Sequence, residues 1–262
     1  MGRGKLLEVE KVSKYFPASG NGVRHCVFEN LSLHVREKEF LSVLGHSGCG
    51  KSTLLNIIAG IEKADGGFVF LDRKEIDGPG IDRMVVFQNF ALMPWMSVAN
   101  NIKLAVRAAY PHWSREQVRG RVQQFIEMVG LKGADDKKPS ALSGGMKQRV
   151  GLARAFAVNP RILLLDEPFA QIDALTRGVI QNELVRMWQE TGITVFMVTH
   201  DVDEAILLSD RILLMSPGPG AEIREEIEIH IPRPRTRETV IDHPAYYETR
   251  NRIIRFLNRH TH

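Results

Sequence analysis

Residues 45–53, which read GHSGCGKST, contain the densest group of side chains that could do chemistry. They fit the phosphate-loop pattern G-x-x-x-x-G-K-[ST], in which backbone N–H groups surround phosphates. Lys51 then reaches the β- and γ-phosphate oxygens, and the Ser52 hydroxyl takes a Mg²⁺ position. An apolar run precedes the loop and a helical pattern follows it, which is the context that the pattern requires. The predicted nucleotide-binding residues here are Gly45, His46, Ser47, Gly48, Cys49, Gly50, Lys51, Ser52 and Thr53.

Two adjacent carboxylates, Asp166 and Glu167, end another apolar run at residues 162–165. Buried carboxylates are costly unless something compensates their charge, and Mg²⁺ with a polarised water would do so. Asp166 is therefore predicted to orient Mg²⁺ and its waters, and Glu167 to accept a proton from the water that attacks the γ-phosphate. The alternative is a strand end that reaches solvent, where acids are common. A phosphate loop in the same chain favours the catalytic interpretation.

Gln88 and His200 each follow a β-rich run, MVVF and TVFMVT respectively. Both are therefore expected at the carboxyl edge of the sheet, where ligands bind in open α/β folds. A lone histidine at a strand end is more often structural. Because Asp166 and Glu167 are expected at the same edge, contact with the γ-phosphate is the favoured role.

A second loop with paired glycines occurs at residues 141–149, ALSGGMKQR. Ser143, Gly144 and Gly145 stand at the head of a predicted helix, where backbone N–H groups can face an anion. The loop has no lysine like Lys51, and a complete phosphate loop is already present. These residues alone do not explain a second anion site.

The remaining pattern is one of strands and helices in alternation, which favours an α/β fold with a parallel sheet. An antiparallel layer is expected near the N-terminus, where two runs alternate apolar and polar residues. A terminal helix is expected at residues 245–258, after two short strands that follow Pro217. Strands are predicted at residues 6–10, 28–35, 40–44, 68–71, 84–87, 162–165, 194–198 and 212–215.

Composition limits the class of protein. The chain has 262 residues, of which 44% are hydrophobic and 25% are charged, as in a globular protein. Its two cysteines are too few for a disulfide framework, and a reducing cytoplasm is expected. No apolar run is long enough for a membrane-spanning helix, and the first residues do not resemble a signal peptide.

The net charge of +4 is concentrated in the last part of the chain, where seven arginines follow His230. Such a tail is typical of a contact with nucleic acid, anionic lipid or a protein partner. A solvated arginine-rich surface is the alternative.

The order and spacing of five features resemble the ATP-binding subunits of ABC transporters: the phosphate loop, Gln88, LSGGM at 142–146, ILLLDE at 162–167 with Asp173, and His200. The resemblance covers nearly the whole chain, and LSGG between a phosphate loop and a DE strand is very specific. It implies a P-loop NTPase of the ABC ATPase fold at residues 6–230, with a mixed or parallel core sheet, an N-terminal antiparallel β layer and a helical subdomain. The implied core is 6–88 with 159–230, the helical subdomain about 89–158, and a basic extension 231–262.

The same resemblance implies how the two glycine loops work together. Two such subunits pair head to tail, so that Ser143, Gly144 and Gly145 of one bind the nucleotide held by the phosphate loop of the other. Asp173 then lies at the dimer seam. The adenine is expected to stack on Phe16, with Tyr15 as the alternative. The implied cofactors are ATP and Mg²⁺, the latter with the ligands Ser52, Gln88 and Asp166.

By resemblance, the partners are transmembrane permease subunits, a second ATPase subunit, either identical or a paralogue, and a periplasmic or lipid-anchored solute-binding protein. A groove near residues 89–98 would receive the permease, with Met93 or Trp95 at the interface. The chain would be peripheral on the cytoplasmic face of the bacterial inner membrane. Several stretches, including GPG-x-DR-x-VVFQ and HPAYYETRNRIIRFLN, resemble the nitrate branch of the nitrate/sulfonate/taurine-type importers.

The implied function is ATP-driven uptake of nitrate or nitrite, with bicarbonate, cyanate, sulfonate or taurine as alternatives. A DNA-repair or translation ABC ATPase is the competing class. Those proteins insert coiled coils between the glutamine and the signature or carry two modules, and neither feature is present here, so no nucleic-acid partner is expected. A small-molecule P-loop kinase would not explain LSGGM or His200.

Overall fold

A computed structural model describes residues 4–17 and 24–259. The chain divides into two compact units. The first unit comprises the residues up to 79 and those from 194 onward, and the second comprises residues 80–193. The phosphate loop and His200 belong to the first unit, whereas Gln88, Ser143 and the two adjacent carboxylates belong to the second.

The expected antiparallel layer near the N-terminus is confirmed in the first unit. It contains β1 (Lys5–Pro17), β2 (Arg24–Arg36), β4 (Gly66–Leu71) and β5 (Lys74–Glu75), in the order β2-β1-β4-β5. Both long strands extend beyond the runs that alternation predicts. In β1 the register shifts between Val9 and Val12, and Lys11 has a φ of +48°. This bulge interrupts the alternation of buried and exposed side chains, which is why the pattern ended too early.

The other sheet of the first unit positions the phosphate loop. Its central strand β3 (Phe40–Gly45) pairs in parallel with β8 (Thr194–Thr199) and β9 (Arg211–Met215). β10 (Ile223–Glu228) pairs antiparallel with β9. All residues of β3, β8 and β9 are buried, as expected of parallel strands covered on both faces. α1 (Lys51–Ala59) follows β3, and α6 (Val202–Leu208) follows β8.

In the second unit two parallel strands, β6 (Arg83–Val86) and β7 (Ile162–Asp166), accompany four helices. Ser114 and Gln117 form a capping box at the start of the second of these helices. Pro139–Ala141 forms one 3-10 turn that leads into residues 142–146, LSGGM, which we call the signature loop. The helices are α2 (Val98–Ala109), α3 (Arg115–Met128), α4 (Gly144–Ala157) and α5 (Ala174–Thr191).

The last part of the first unit contains α7 (Arg237–Ile241) and α8 (Pro244–Arg259). The terminal helix is therefore confirmed. The expectation of two short strands after Pro217 is wrong, because residues 217–259 contain one, β10; Ala221 makes only an isolated bridge to Phe28. Among the helices at residues 4–17 and 24–259, none is both long and apolar enough to cross a membrane.

Candidate nucleotide-binding site

The phosphate loop connects β3 to α1 through a backbone that requires glycine. Gly48 has a φ of +81° and Gly50 a φ of +101°, both in the left-handed region. A Cβ on Gly45 would lie 2.7 Å from the carbonyl oxygen of Met215. Gly50 is the N-cap of α1, and no side chain caps this helix end. The first N–H groups of α1 are thus not covered by a capping side chain, as an anion site requires.

Lys51 is folded into the loop rather than extended into solvent. Its side chain is only 4% exposed, and Nζ donates to the carbonyl oxygens of Gly45 at 2.8 Å and His46 at 2.9 Å. Cys49 is buried, and its Sγ lies 3.9 Å from Nζ of Lys51. Ser47, Gly48 and Ser52 are exposed, and Thr53 is half-buried. The loop therefore combines the buried ammonium group of Lys51 with exposed residues on either side of it.

His200 is next to the phosphate loop in the sheet. Leu44 and Thr199 are partners in the parallel β3–β8 pair, so Gly45 and His200 both leave the sheet at its carboxyl edge. His200 is exposed. The Thr199 hydroxyl donates to the Glu204 carboxylate at 3.0 Å and accepts from the Asp201 N–H at 3.0 Å.

That hydrogen-bonded turn fixes the backbone on both sides of His200. The Asp201 carboxylate also caps α6, accepting from the N–H groups of Asp203 and Glu204. Sequence reasoning did not identify Thr199, Asp201 or Glu204. The signal was present as an acidic cap three residues before a glutamate.

The second unit presents the carboxylates at the end of a parallel strand pair. Val86 is the partner of Leu165, so the segments with Gln88 and with Asp166 both leave β6 and β7 at the carboxyl edge. Asp166 and Glu167 are half-buried and Gln88 is exposed. Glu167 has a φ of +44°, a strained conformation for a residue with a Cβ. Such strain is concentrated at functional sites.

The loop after Gln88 is also strained, and a side chain of α4 binds its backbone. Phe90 and Ala91 have φ values of +63° and +44°. The Arg154 guanidinium of α4 donates to their carbonyl oxygens, at 3.3 Å and 2.6 Å respectively. Burial lowers the pKa of Arg154 below its ordinary value. Sequence reasoning missed Arg154 because one arginine within an apolar helix gives no local signal.

A second residue that the sequence did not reveal, Asn101 of α2, shapes the following segment. Its buried amide accepts from the Met93 N–H at 2.8 Å and donates to the carbonyl oxygens of Met93, Met96 and Ser97. The segment therefore has one defined conformation, from which Trp95 projects with 66% of its surface exposed.

The signature loop contains the cap of α4 and packs closely against the segment that leads into α5. The Ser143 hydroxyl caps α4 by accepting from the Met146 N–H at 3.3 Å. A Cβ on Gly145 would lie 2.4 Å from Cγ2 of Thr176 in α5, and one on Gly144 would lie 3.3 Å from the Gln171 carbonyl oxygen. The two glycines thus allow α4 and its loop to approach the segment that contains Asp173.

Asp173 is the N-cap of α5, and its carboxylate accepts from the Thr176 N–H at 3.0 Å. This hydrogen bond is the main cause of a lowered pKa for Asp173. Because Thr176 also faces Gly145, the structure brings the predicted seam residue Asp173 next to the signature loop.

The aromatic candidates for adenine lie near the end of β1. The Phe16 ring is 38% exposed, with Nζ of Lys14 5.1 Å from its centroid. Tyr15 is half-buried, and its N–H donates to the Asp65 carboxylate. Phe16 therefore offers the more accessible face, and its stacking role stays a prediction.

The predicted Mg²⁺ ligands are oxygen donors: the hydroxyl of Ser52, the amide of Gln88 and the carboxylate of Asp166. This donor set suits Mg²⁺, which binds few protein oxygens and keeps water and phosphate oxygens. Within residues 4–17 and 24–259, no cluster of three histidine, cysteine, aspartate or glutamate side chains could hold a metal by itself.

Phosphate loop, acidic strand end and capped signature helix define a class of nucleotide-binding protein, and the family described as ABC transporter matches residues 28–170. The chain belongs to this family. It is 51% identical over 254 residues to the bicarbonate transport ATP-binding protein CmpC of Synechococcus elongatus, covering 97% of this chain but 38% of that protein. It is 48% identical over 254 residues to the nitrate import ATP-binding protein NrtD of the same species, covering 97% of this chain and 92% of that protein.

Solved structures agree with the family. A dimeric ATP-binding cassette in a post-hydrolysis state with ADP and Pi is 32% identical, with a TM-score of 0.75 over 86% of this chain and 99% of that one. The α/β fold that the sequence predicts is therefore confirmed, as is the resemblance to ABC transporter subunits of the nitrate branch. The roles of individual site residues stay predictions.

Proposed function

We propose that this protein is the ATP-hydrolysing subunit of an ABC importer for a small anion. The observation that carries the proposal is the phosphate loop, where an α-helix N-terminus without a side-chain cap meets the buried ammonium of Lys51. This arrangement stabilises the negative charge of a nucleotide's phosphates.

In the proposed reaction a water attacks the γ-phosphate in line with the leaving oxygen. The carboxylate of Glu167 accepts the proton of this water, and His200 and Lys51 donate to γ-phosphate oxygens. The strained backbone at Glu167 sets the direction in which its side chain leaves the main chain. Mg²⁺, held by Ser52, Gln88 and Asp166, would neutralise charge on the phosphates.

The signature loop is proposed to act on the nucleotide of a second subunit. Two observations support a protein interface beside it. Asp173 is followed by Leu175, which is 89% exposed, and by Val179, which is 50% exposed one turn later on α5. An apolar stripe next to a glycine loop is more consistent with a covered surface than with a solvated one. In an isologous dimer, Ser143, Gly144 and Gly145 of each subunit would face the partner's phosphate loop.

The membrane subunits are proposed to dock on the second unit near the loop that follows Gln88. Trp95 and Leu104 are exposed there, and a groove of about 820 Å³ lies along α2 and α3. Four of its lining side chains are cations that make no hydrogen bond or ion pair within the described ranges, 4–17 and 24–259. They are Lys103, Arg107, Arg115 and Arg119. Asp135 and Asp136 also line the groove, and the excess of cations favours an acidic helix or loop on the permease side.

The transported anion is proposed from the relatives. The chain spans 38% of the length of CmpC but 92% of NrtD and 94% of the bicarbonate transport ATP-binding protein CmpD. Nitrate or nitrite is the main proposal, and bicarbonate, cyanate, sulfonate or taurine are alternatives by the same mechanism. The subunit would work at the cytoplasmic face of the membrane, with a solute-binding protein reached through the complex.

The test is ATP-driven uptake by the complex that the chain forms in its own host. The complex, purified through a tag on this chain and placed in liposomes, is assayed with labelled nitrate and with labelled bicarbonate. Glu167→Gln should lower ATP hydrolysis about 100-fold or more while ATP still binds. Glu190→Gln, which removes an exposed acid from α5, is the matched control.

Each outcome separates one part of the proposal. Active Glu167→Gln enzyme would contradict the assignment of the base. Uptake of bicarbonate without nitrate would replace the main anion with the alternative. Binding of the wild-type chain to random DNA at physiological salt, without a co-purifying membrane subunit, would overturn the importer in favour of a nucleic-acid ATPase.

A further inference from the structure

The arginine-rich extension is folded against the body of the first unit through some of its arginines, while Arg237, Arg252, Arg255 and Arg259 are exposed. Arg235 is buried, and its guanidinium donates to four backbone carbonyl oxygens. These belong to Ile206, Ser209, Ile229 and Ile231. Burial is the main cause that lowers the pKa of Arg235, to about 10. Arg233 binds the Asp210 carboxylate at 2.9 Å. Both arginines therefore fasten the chain that leads to α8.

α8 itself is attached to α6, the helix that follows His200. The Asp203 carboxylate accepts from the Tyr246 hydroxyl at 2.9 Å and from Nε of Arg250 at 2.8 Å. Burial and this hydrogen bond raise the pKa of Tyr246 to about 12. Ile253 and Phe256 are buried on the same helix. α8 is thus positioned by apolar packing and by a shared carboxylate.

The far end of α8 reaches the phosphate loop. Nε2 of His46 lies 2.9 Å from the carbonyl oxygen of Leu257. Because a carbonyl only accepts, Nε2 carries the proton and donates it. Leu257 lies in the last turn of α8, and the C-terminal end of a helix carries partial negative charge. The carbonyl oxygen of His46 in turn accepts from Nζ of Lys51 at 2.9 Å. One residue therefore connects α8 with the predicted phosphate-binding lysine.

We propose that the C-terminal extension is a positioning clamp for the phosphate loop, in which the Leu257 carbonyl fixes the His46 ring and thereby the backbone that holds Lys51. His46 is then a positioning residue, acting through the loop. The inference depends on the proposed ATPase function and deepens it, because it assigns the extension a part in nucleotide affinity. The contact at Asp203 places the other end of the clamp on the helix behind His200.

The first test replaces His46 in the full-length complex. His46→Leu removes the donor and should raise the KM for ATP about fivefold with little change in kcat, as expected for one hydrogen bond of about 1 kcal/mol. His46→Gln keeps an N–H donor and should restore most of the affinity. Binding of a fluorescent ATP analogue provides an independent readout of the same shift.

The second test loosens α8 without touching the loop. The double variant Tyr246→Phe/Arg250→Met removes both donors to Asp203 and should also raise the KM for ATP. Combined with His46→Leu, it should add less than its own effect, since both changes disable one clamp. Arg255→Gln is the matched control, because this α8 arginine is exposed and has no partner within residues 4–17 and 24–259.

The outcomes distinguish the clamp from the ATPase. An unchanged KM in His46→Leu, or equal shifts in His46→Gln and His46→Leu, would overturn the clamp while the wild-type enzyme still hydrolyses ATP. Fully additive effects of the α8 and His46 variants would also overturn it. If the Lys51→Met complex bound ATP as tightly as the wild-type complex, that result would instead contradict the proposed function.

Discussion

The two glycine loops stand at helix N-termini and look alike in sequence, yet they use glycine differently. In the phosphate loop, Gly48 and Gly50 adopt left-handed conformations, and no side chain caps α1. In the signature loop, Ser143 caps α4 by itself, and Gly145 makes room for Thr176. The first loop leaves its N–H groups for a ligand, whereas the second already satisfies one of them.

This difference shows that glycine next to a helix start has two physical meanings. One is a backbone shape that curves around an anion, and it comes with a buried cation, Lys51. The other is close approach between helices, which needs no cation. In a loop of the second kind, the edge formed by Ser143, Gly144 and Gly145 carries no charged side chain. Such an edge can complete a site whose charge is supplied by another molecule.

The largest expected effect comes from disabling one loop at a time, which tests whether the two loops have different roles. Lys51→Met removes the ammonium and should lower ATP binding and abolish hydrolysis. Ser143→Arg should abolish hydrolysis but leave ATP binding, because the partner's phosphate loop is unchanged. Mixed in equal amounts, the two inactive proteins should recover about a quarter of wild-type ATPase activity in heterodimers with one intact composite site.

The mixing experiment has a built-in control. Wild-type protein mixed with Lys51→Met measures subunit exchange under the same conditions. If exchange occurs and the mixture of the two inactive variants stays inactive, the signature loop does not act in trans.

A somewhat smaller effect distinguishes the need for positive φ from the need to avoid a steric clash within the phosphate loop. Gly48→Ala and Gly50→Ala both place a Cβ at positive φ, which costs about 1–2 kcal/mol. At Gly50 that Cβ would also lie 2.4 Å from Cγ1 of Val27, whereas at Gly48 nothing lies within 4 Å. Gly50→Ala should therefore raise the KM for ATP well beyond the Gly48→Ala variant. Equal effects would mean that the contact with Val27 is not limiting.

The signature loop offers a test in which a second change restores the first. Gly145→Ala forces a methyl group against Cγ2 of Thr176 and should lower the free energy of unfolding by about 1–3 kcal/mol. Thr176→Ser deletes that methyl and should rescue both stability and hydrolysis in the double variant. Thermal unfolding and ATPase assays measure the two effects. Loss of stability that Thr176→Ser leaves uncorrected would disprove the packing role of Gly145.

Local sequence patterns were enough to predict most of the fold and part of the candidate site. Alternation and helical spacing predicted the strand and helix order, and a nine-residue motif predicted the phosphate loop because its chemistry is contiguous. Strand β1 was predicted too short because its bulge breaks the alternation at Lys11.

The contacts that the sequence did not reveal join residues that are far apart in the chain. Arg154 reaches the carbonyls of Phe90 and Ala91, and His46 reaches Leu257, 211 residues away. Their partners are backbone carbonyls, which every residue possesses, so side-chain types give no signal. The sequence could not show either whether Gly145 shapes the backbone around an anion or allows close packing, since its contact with Thr176 depends on how α4 and α5 pack.

A smaller effect separates capping from catalysis at Ser143. Ser143→Ala removes the cap of α4 and should cost about 1 kcal/mol of unfolding free energy. Ser143→Asp keeps a capping oxygen but adds a negative charge where the partner's γ-phosphate is proposed to lie. It should therefore retain stability and lose hydrolysis. A Ser143→Asp enzyme with wild-type activity would mean that Ser143 only caps its helix.

The smallest expected effect concerns Asp173, the cap beside the signature loop. Its pKa is lowered in the folded protein by the hydrogen bond from Thr176, so its contribution to stability is present above the ordinary aspartate pKa of about 3.9 and is lost as pH falls through the lowered value. Asp173→Asn keeps a good cap without the charge. Its unfolding free energy should fall below wild type at neutral pH and match it in strong acid. A difference that does not vary with pH would show that the charge of Asp173 contributes nothing to folding, which would leave the dimer seam as the place to look for its role.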